Sequence, residues 1–128
     1  MGTLVDLNSD LSPYRPLDAV YEAISTHSKR DDMVLHAIGQ SVEGRPIYAV
    51  QITGTSEPRG AVLVCANIHG VEFIAVEVAL GLLQRAAAGC SRLKMLLETV
   101  DIWVIPTLNP DAYDKTWQQH GRGCQPMV

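Results

Sequence analysis

Aromatic residues are scarce in this sequence: one Phe, two Trp and four Tyr make up 5% of its 128 residues. Cysteine is scarcer still, with Cys65, Cys90 and Cys124 and no Cys-x-x-Cys pair. So low and odd a count builds no disulfide framework and fits a reducing compartment, so a cytoplasmic location is expected. Cys65 falls within an apolar run and reads as a small buried hydrophobe. No apolar stretch approaches the roughly 20 residues of a membrane-spanning helix. The opening Met1-Gly2-Thr3-Leu4-Val5-Asp6 has neither the basic nor the apolar region of a secretory signal, and Asp6 stands where a myristoylation signal wants Ser or Thr. No membrane association is therefore expected. Concentrated positive charge is also missing. The net charge is −4, and the pair Lys29-Arg30 is cancelled at once by Asp31-Asp32. Nucleic acid is not an expected partner.

What is present is apolar material, 47% of the chain against 19% charged, enough for one domain with a core. Residues 1–15 read as an irregular arm, and 16–128 as the domain. Leu17, Val20, Tyr21 and Ile24 recur at helical spacing, with Pro16 suited to a first turn, which predicts a helix over 16–28. Val34–Ile38 and Ile47–Thr53 read as strands flanking a Gly- and Pro-bearing turn, hence an antiparallel pair, with Ile47, Ala49 and, after a slip, Ile52 on one side. Ala61–Ile68 is nearly continuous apolar sequence and Val100–Leu108 a second such candidate, of the kind found in strands covered on both faces. Between them, 72–88 reads as a helix apolar nearly all round and stopped by Gly89, and 92–98 as a short amphipathic helix. Asn109-Pro110-Asp111 closes the last strand.

The implied fold is α/β, an incomplete mixed-sheet layered domain of about four strands with two main helices. Two long helices do not cover two fully apolar strands on both faces. The expected result is an open sheet with a bare edge that wants a partner.

The chemistry concentrates at His69-Gly70-Val71-Glu72, at the carboxyl end of an apolar strand, where ligand sites of α/β sheets collect. Imidazole and carboxylate are both zinc ligands, and residues three apart at a helix start can face one point. Gly70 would relax the backbone there. Two plainer readings stand beside this one: Glu72 as a first-turn acid opposing the helix dipole, and His69 as a loop histidine bonded to backbone. Other chemistries fail on context. Gly39-Gln40-Ser41-Val42-Glu43 leads into a loop rather than a helix, no Gly-rich phosphate loop follows a strand, and Asp31, Asp32, Asp111 and Asp114 read as turn or solvated residues. His27 and His36 have no partner in register and read as structural.

Three pieces in order carry a further signal: Gly39 to Ile47 (Gly-x-Ser-x-Glu-Gly-Arg-Pro-Ile), Ala66 to Glu72 (Ala-Asn-x-His-Gly-x-Glu) and Pro106 to Tyr113 (Pro-x-x-Asn-Pro-Asp-x-Tyr). Together they resemble zinc carboxypeptidases, over roughly residues 14–113 and corresponding to the first part of that family's domain. The resemblance implies Zn2+ as cofactor, His69 and Glu72 as metal ligands, a peptide with a free C-terminus as substrate, and hydrolysis of its C-terminal peptide or amide bond. It also implies parts that do not match. The family's third ligand is a later histidine, and here only His120 follows Glu72, in the polar stretch Gln118-Gln119-His120-Gly121. No glutamate follows Glu98 to serve as general base, and Arg122 is the sole arginine after Asn-Pro-Asp. A truncated metallocarboxypeptidase, inactive alone, is thus the expectation. The alternative is a non-catalytic interaction module that keeps the first half of the fold.

Overall fold

The computed structural model describes residues 14–120, with no account of the His120 side chain, so the arm expected at 1–15 falls largely outside it. Eight elements follow in order: α1 (Leu17–His27), β1 (Met33–Gln40), β2 (Pro46–Ile52), β3 (Ala61–Cys65), α2 (Phe73–Ala87), α3 (Ser91–Leu97), β4 (Asp101–Ile105) and α4 (Pro110–His120). The strands form one mixed sheet in the order β1-β2-β4-β3. β1–β2 and β2–β4 pair antiparallel, while β3–β4 pair parallel across the α2–α3 crossover.

Alternation along the strands sends Met33, Val50, Ile52, Ile102 and Val104 to one face, where they join Leu17, Val20 and Ile24 of α1 and Val76, Leu80 and Leu83 of α2 in a single core. Burial of side chains of this size stabilises by about 1.5–3 kcal/mol each, which makes this layer the main support of the fold. The slip expected in β2 lies instead in β1, where the register shifts between Ala37 and Gly39. β2 runs unbroken, with Ala49 on one face and Val50 and Ile52 on the other.

Three expectations about burial need correction. β4 is enclosed as expected, but β3 forms the sheet edge, and Val62 and Leu63 are 47% and 63% exposed. Its apolar run was read as covered on both faces, and within the described residues nothing lies against its outer edge. Cys65, at the end of that strand, is exposed rather than buried. α2 buries only one stripe, with Ile74 and Val78 facing out. Its stop is as expected, with Gly89 in the left-handed region at φ 77°.

α3 is the short helix expected at 92–98, whereas α4 begins where a closing turn is expected. Asn109 starts it as a cap, its side-chain oxygen accepting the Ala112 N–H at 3.2 Å. Pro110 occupies the first helical position and Asp111 opposes the dipole. Tyr113 seats the helix. It is fully buried, meets Phe73 edge-on at 4.8 Å, and donates its hydroxyl to the Arg15 carbonyl.

Asp111 and Asp114 are not merely solvated turn residues. Asp111 accepts from Ser41 Oγ at 2.6 Å, Arg45 Nη1 at 2.8 Å and the Glu43 backbone N–H at 3.1 Å, and Asp114 accepts from Arg45 Nη2 at 2.9 Å. Desolvation pushes the Asp111 carboxyl up, but these donors outweigh it and hold the group below its ordinary range. A depressed folded-state pKa stabilises above the unfolded value near 4 and loses that contribution as pH falls through the folded value. Asp111→Asn should therefore be less stable than the wild type at about pH 7, with the gap narrowing toward about pH 3. Urea midpoints at the two pH values check this, and a gap that does not change with pH would contradict it. His36 also has partners that its spacing did not reveal: its Nε2 lies 3.0 Å from Gln51 Oε1, and its ring stacks on Trp103 at 4.9 Å.

Candidate metal centre

β3 ends at Cys65, and the chain leaves the sheet through Ala66 and Asn67. Asn67 adopts φ 61°, a left-handed conformation that asparagine tolerates better than most residues. Its side chain is buried and fully engaged: Oδ1 accepts from Thr107 Oγ1 at 2.7 Å, and Nδ2 donates to the His69 carbonyl at 2.9 Å. The Asn67 and Ile68 carbonyls are held from the other side by Asn109, through its backbone N–H at 3.1 Å and its Nδ2 at 3.1 Å. The segment 66–69 is thus bonded to the β4–α4 connection at several points, so neither loop has many positions open to it.

Gly70 works differently from the expectation. It is absent from the positive-φ residues, and the sharp backbone turn belongs to Asn67. What Gly70 supplies is space, because a Cβ there would lie 2.4 Å from the Ala112 carbonyl oxygen and 2.8 Å from Thr116 Oγ1. Only a residue without a side chain lets α4 approach so closely.

This frame presents His69 and Glu72. The Glu72 N–H closes a turn onto the His69 carbonyl at 3.1 Å, just ahead of α2. The Glu72 carboxylate does not cap α2. It turns back to accept from the His69 backbone N–H at 3.1 Å (Oε2), and Oε1 lies 3.0 Å from His69 Nδ1. Hydrogen bonds from the His69 ring and then from its backbone N–H hold the Glu72 carboxyl below its ordinary pKa. The dipole-compensating reading of Glu72 needs no capping bond and stands beside the ligand reading.

The pair is open to solvent, with the His69 side chain 75% exposed and that of Glu72 42%. Two donor atoms bound to one tetrahedral zinc at about 2.0–2.1 Å sit roughly 3.3 Å apart. The 3.0 Å between Nδ1 and Oε1 needs little adjustment to accept such an ion, and both donor types suit it. Among the described residues no cluster of three or more His, Cys, Asp or Glu forms. His120 ends α4 with its side chain outside the described residues, and Arg122 lies beyond them.

The sequence profile of zinc carboxypeptidases matches residues 20–125. The chain belongs to the zinc carboxypeptidase family. It is 31% identical to carboxypeptidase A4 of Mus musculus over 113 residues, covering 84% of this chain and 27% of that one. It is 37% identical to inactive metallocarboxypeptidase ECM14 of Paracoccidioides brasiliensis over 102 residues, covering 73% and 17% respectively. Among solved structures, bovine thrombin-activatable fibrinolysis inhibitor in complex with tick carboxypeptidase inhibitor superposes with a TM-score of 0.73 and 26% identity, over 84% of this chain and 35% of that one. The chain thus spans about a third or less of each of these relatives. The α/β arrangement with its four-stranded mixed sheet matches carboxypeptidase structures over most of this chain, and family membership implies Zn2+ as the metal.

Asn67, Thr107 and Asn109 frame the pair, and all three lie inside motifs already singled out, Thr107 at an unspecified position of its motif. A signal for Asn109 existed in the order Asn-Pro-Asp, a cap followed by a first-turn proline and acid. Nothing in the sequence pointed to the bond between Thr107 and Asn67, which joins residues 40 positions apart.

Proposed function

We propose that His69 and Glu72 provide two protein ligands of a catalytic zinc ion, in a chain whose family reaction is hydrolysis of the C-terminal bond of a peptide. The observation that carries this reading is the approach of Glu72 Oε1 to within 3.0 Å of His69 Nδ1, with no capping bond from that carboxylate to α2, on a loop bonded to the β4–α4 connection. Zinc bound there supplies Lewis-acid polarisation of a carbonyl and activation of water. The chain's own residues hold the ion and keep its two ligands in register. His69 would bind through Nδ1 and Glu72 through its carboxylate, while Asn67 holds the His69 carbonyl and so the backbone from which the ring projects.

Proton transfer is another matter. No glutamate follows Glu98, and no third metal-ligating side chain joins the pair among the described residues. A zinc site with two protein ligands and no general base lacks both tight retention and a proton acceptor. The 128-residue polypeptide alone is therefore expected to show no hydrolysis of a peptide with a free C-terminus, with or without added zinc. Zinc-dependent release of a C-terminal residue that disappears in His69→Ala would overturn this.

A second reading is favoured by a separate observation. The edge strand β3 offers unpaired backbone and exposed Val62 and Leu63. An interaction module would cover that edge with another polypeptide, and a relative named as an inactive metallocarboxypeptidase is consistent with use of the fold without turnover. On this reading His69→Ala and Glu72→Ala leave complex formation unchanged, whereas Leu63→Lys abolishes it.

A further inference from the structure

Arg45 sits in the β1–β2 connection, in a motif to which the proposed zinc chemistry assigns no role. We infer that Arg45 is a positioning residue for His69 and Glu72, acting through Asp111 and the first turns of α4.

The geometry runs in two steps. First, the guanidinium bridges two acids one turn apart on α4, with Nη1 on Asp111 at 2.8 Å and Nη2 on Asp114 at 2.9 Å. A planar fork holding positions i and i+3 fixes the rotation of a helix about its axis, which a point charge does not do. Ser41 Oγ and the Glu43 N–H bind the same Asp111 carboxylate, and Ser41 Oγ also accepts from the Arg45 N–H at 2.9 Å. The connection is therefore braced rather than loose. Second, the same few residues of α4 set the metal-site loop. Asn109, two positions before Asp111, bonds the Asn67 and Ile68 carbonyls. Ala112 and Thr116 press on Gly70, with no room for even a methyl group.

At 3.6 residues per turn, the clamped side of α4 lies about 150° round the helix from the side that presses on Gly70. The helix is held between the β1–β2 connection and the metal-site loop, while Tyr113 anchors a third side to the core. With the clamp gone, Tyr113 and Trp117 still seat one side of α4 against Phe73, but the side facing the β1–β2 connection is no longer pinned and the loop bonded to the helix gains freedom. Two motifs separated by more than sixty residues, Gly-x-Ser-x-Glu-Gly-Arg-Pro and Asn-Pro-Asp, thus form one brace behind the ligand pair.

The affinity part of the test rests on the zinc reading above, and the exchange part does not. Arg45→Met and Arg45→Lys are made in the full chain, with Glu77→Gln as a control that removes another ion pair, Arg15–Glu77. Amide hydrogen exchange is followed at His69, Glu72 and Asn109, each hydrogen-bonded in this frame, and at Trp103 and Val104 in β4. Zinc affinity is measured by competition with a chelator. Both Arg45 variants should speed exchange at the three frame amides about 10-fold and weaken zinc about 10-fold, the range for loss of an outer ligand-orienting partner. The β4 amides should stay unchanged, and Glu77→Gln should alter neither readout. Unchanged exchange at the frame amides, equal acceleration in β4, or full retention by Arg45→Lys would each overturn the role of Arg45. If wild-type zinc binding does not depend on His69, the zinc reading fails, while the exchange comparison still decides on Arg45.

Discussion

Tyr113→Ala is expected to destabilise the protein by about 3–5 kcal/mol, as removal of large buried aromatics does. Against total stabilities of about 5–15 kcal/mol, that is enough to unfold a good share of the molecules near body temperature. Tyr113 has no solvent exposure and packs edge-on to Phe73, the centre of an aromatic group that also includes Tyr14 at 5.7 Å and Trp117 at 5.8 Å. Truncation leaves a cavity in the core and removes one of the two aromatic contacts of α4 with Phe73 of α2, leaving that of Trp117. Tyr113→Phe keeps the ring and loses only the hydroxyl bond to the Arg15 carbonyl, so its cost should be about 1 kcal/mol. Urea denaturation midpoints of the two variants separate packing from hydrogen bonding. Near-equal losses would show that the ring is not the anchor.

Gly70→Ala is expected to damage the metal site more than the fold. The added Cβ would lie 2.4 Å from a backbone oxygen of α4 and 2.6 Å from its carbon, atoms that cannot swing aside. Either the loop or the helix must move, at a cost of about 1–3 kcal/mol for overpacking of this kind. The loop carries His69 one residue away and Glu72 two away, so the strain falls on the ligand spacing. A loss of zinc affinity of about 10–100-fold is the expected result, comparable to removal of an outer-shell support. Gly81→Ala is the matched control. Gly81 lies within α2 with nothing inside 4 Å of a new Cβ, so alanine there should stabilise by about 0.5–1 kcal/mol and leave zinc binding unchanged. Equal zinc affinity in Gly70→Ala and wild type would mean that the close approach of α4 does not matter to the site.

Much of this arrangement can be read from local chemistry. α1, α2, the β1–β2 pair and the buried β4 follow from spacing and from Gly and Pro positions, with boundaries shifted by a few residues. The failures have particular causes. β3 carries the same apolar run as β4, and periodicity alone does not distinguish a strand enclosed in the sheet from one at its edge. Which one is the edge is decided by pairing order, and only the folded chain shows that. α4 is hard to recognise from spacing because its face is mixed: Tyr113 and Trp117 pack inward, Asp114 pairs with Arg45, Lys115 and Gln118 face out, and Asn-Pro-Asp serves equally as a stop or as a cap.

The site divides in the same way. His69 and Glu72 are legible because their spacing is local and their flanking motifs are those of a zinc carboxypeptidase. Asn67, Thr107 and the Arg45–Asp111–Asp114 brace are not, since each depends on contacts between segments distant in sequence. Gly70 was noticed for the wrong property, its backbone freedom, when its use is the absence of a side chain.

The central claim is that His69 and Glu72 are prepared to hold one zinc ion, and titration of the metal-free chain with Zn2+ tests it most directly. Four-ligand structural sites bind with about 10–16 kcal/mol, so two protein ligands on a fixed loop should supply roughly half of that. A dissociation constant of about 1–200 µM corresponds to that energy. The expected result is saturation at one zinc per chain in this range, lost in His69→Ala and in Glu72→Gln while Gly81→Ala binds normally. Identical titration curves for wild type, His69→Ala and Glu72→Gln would contradict the account.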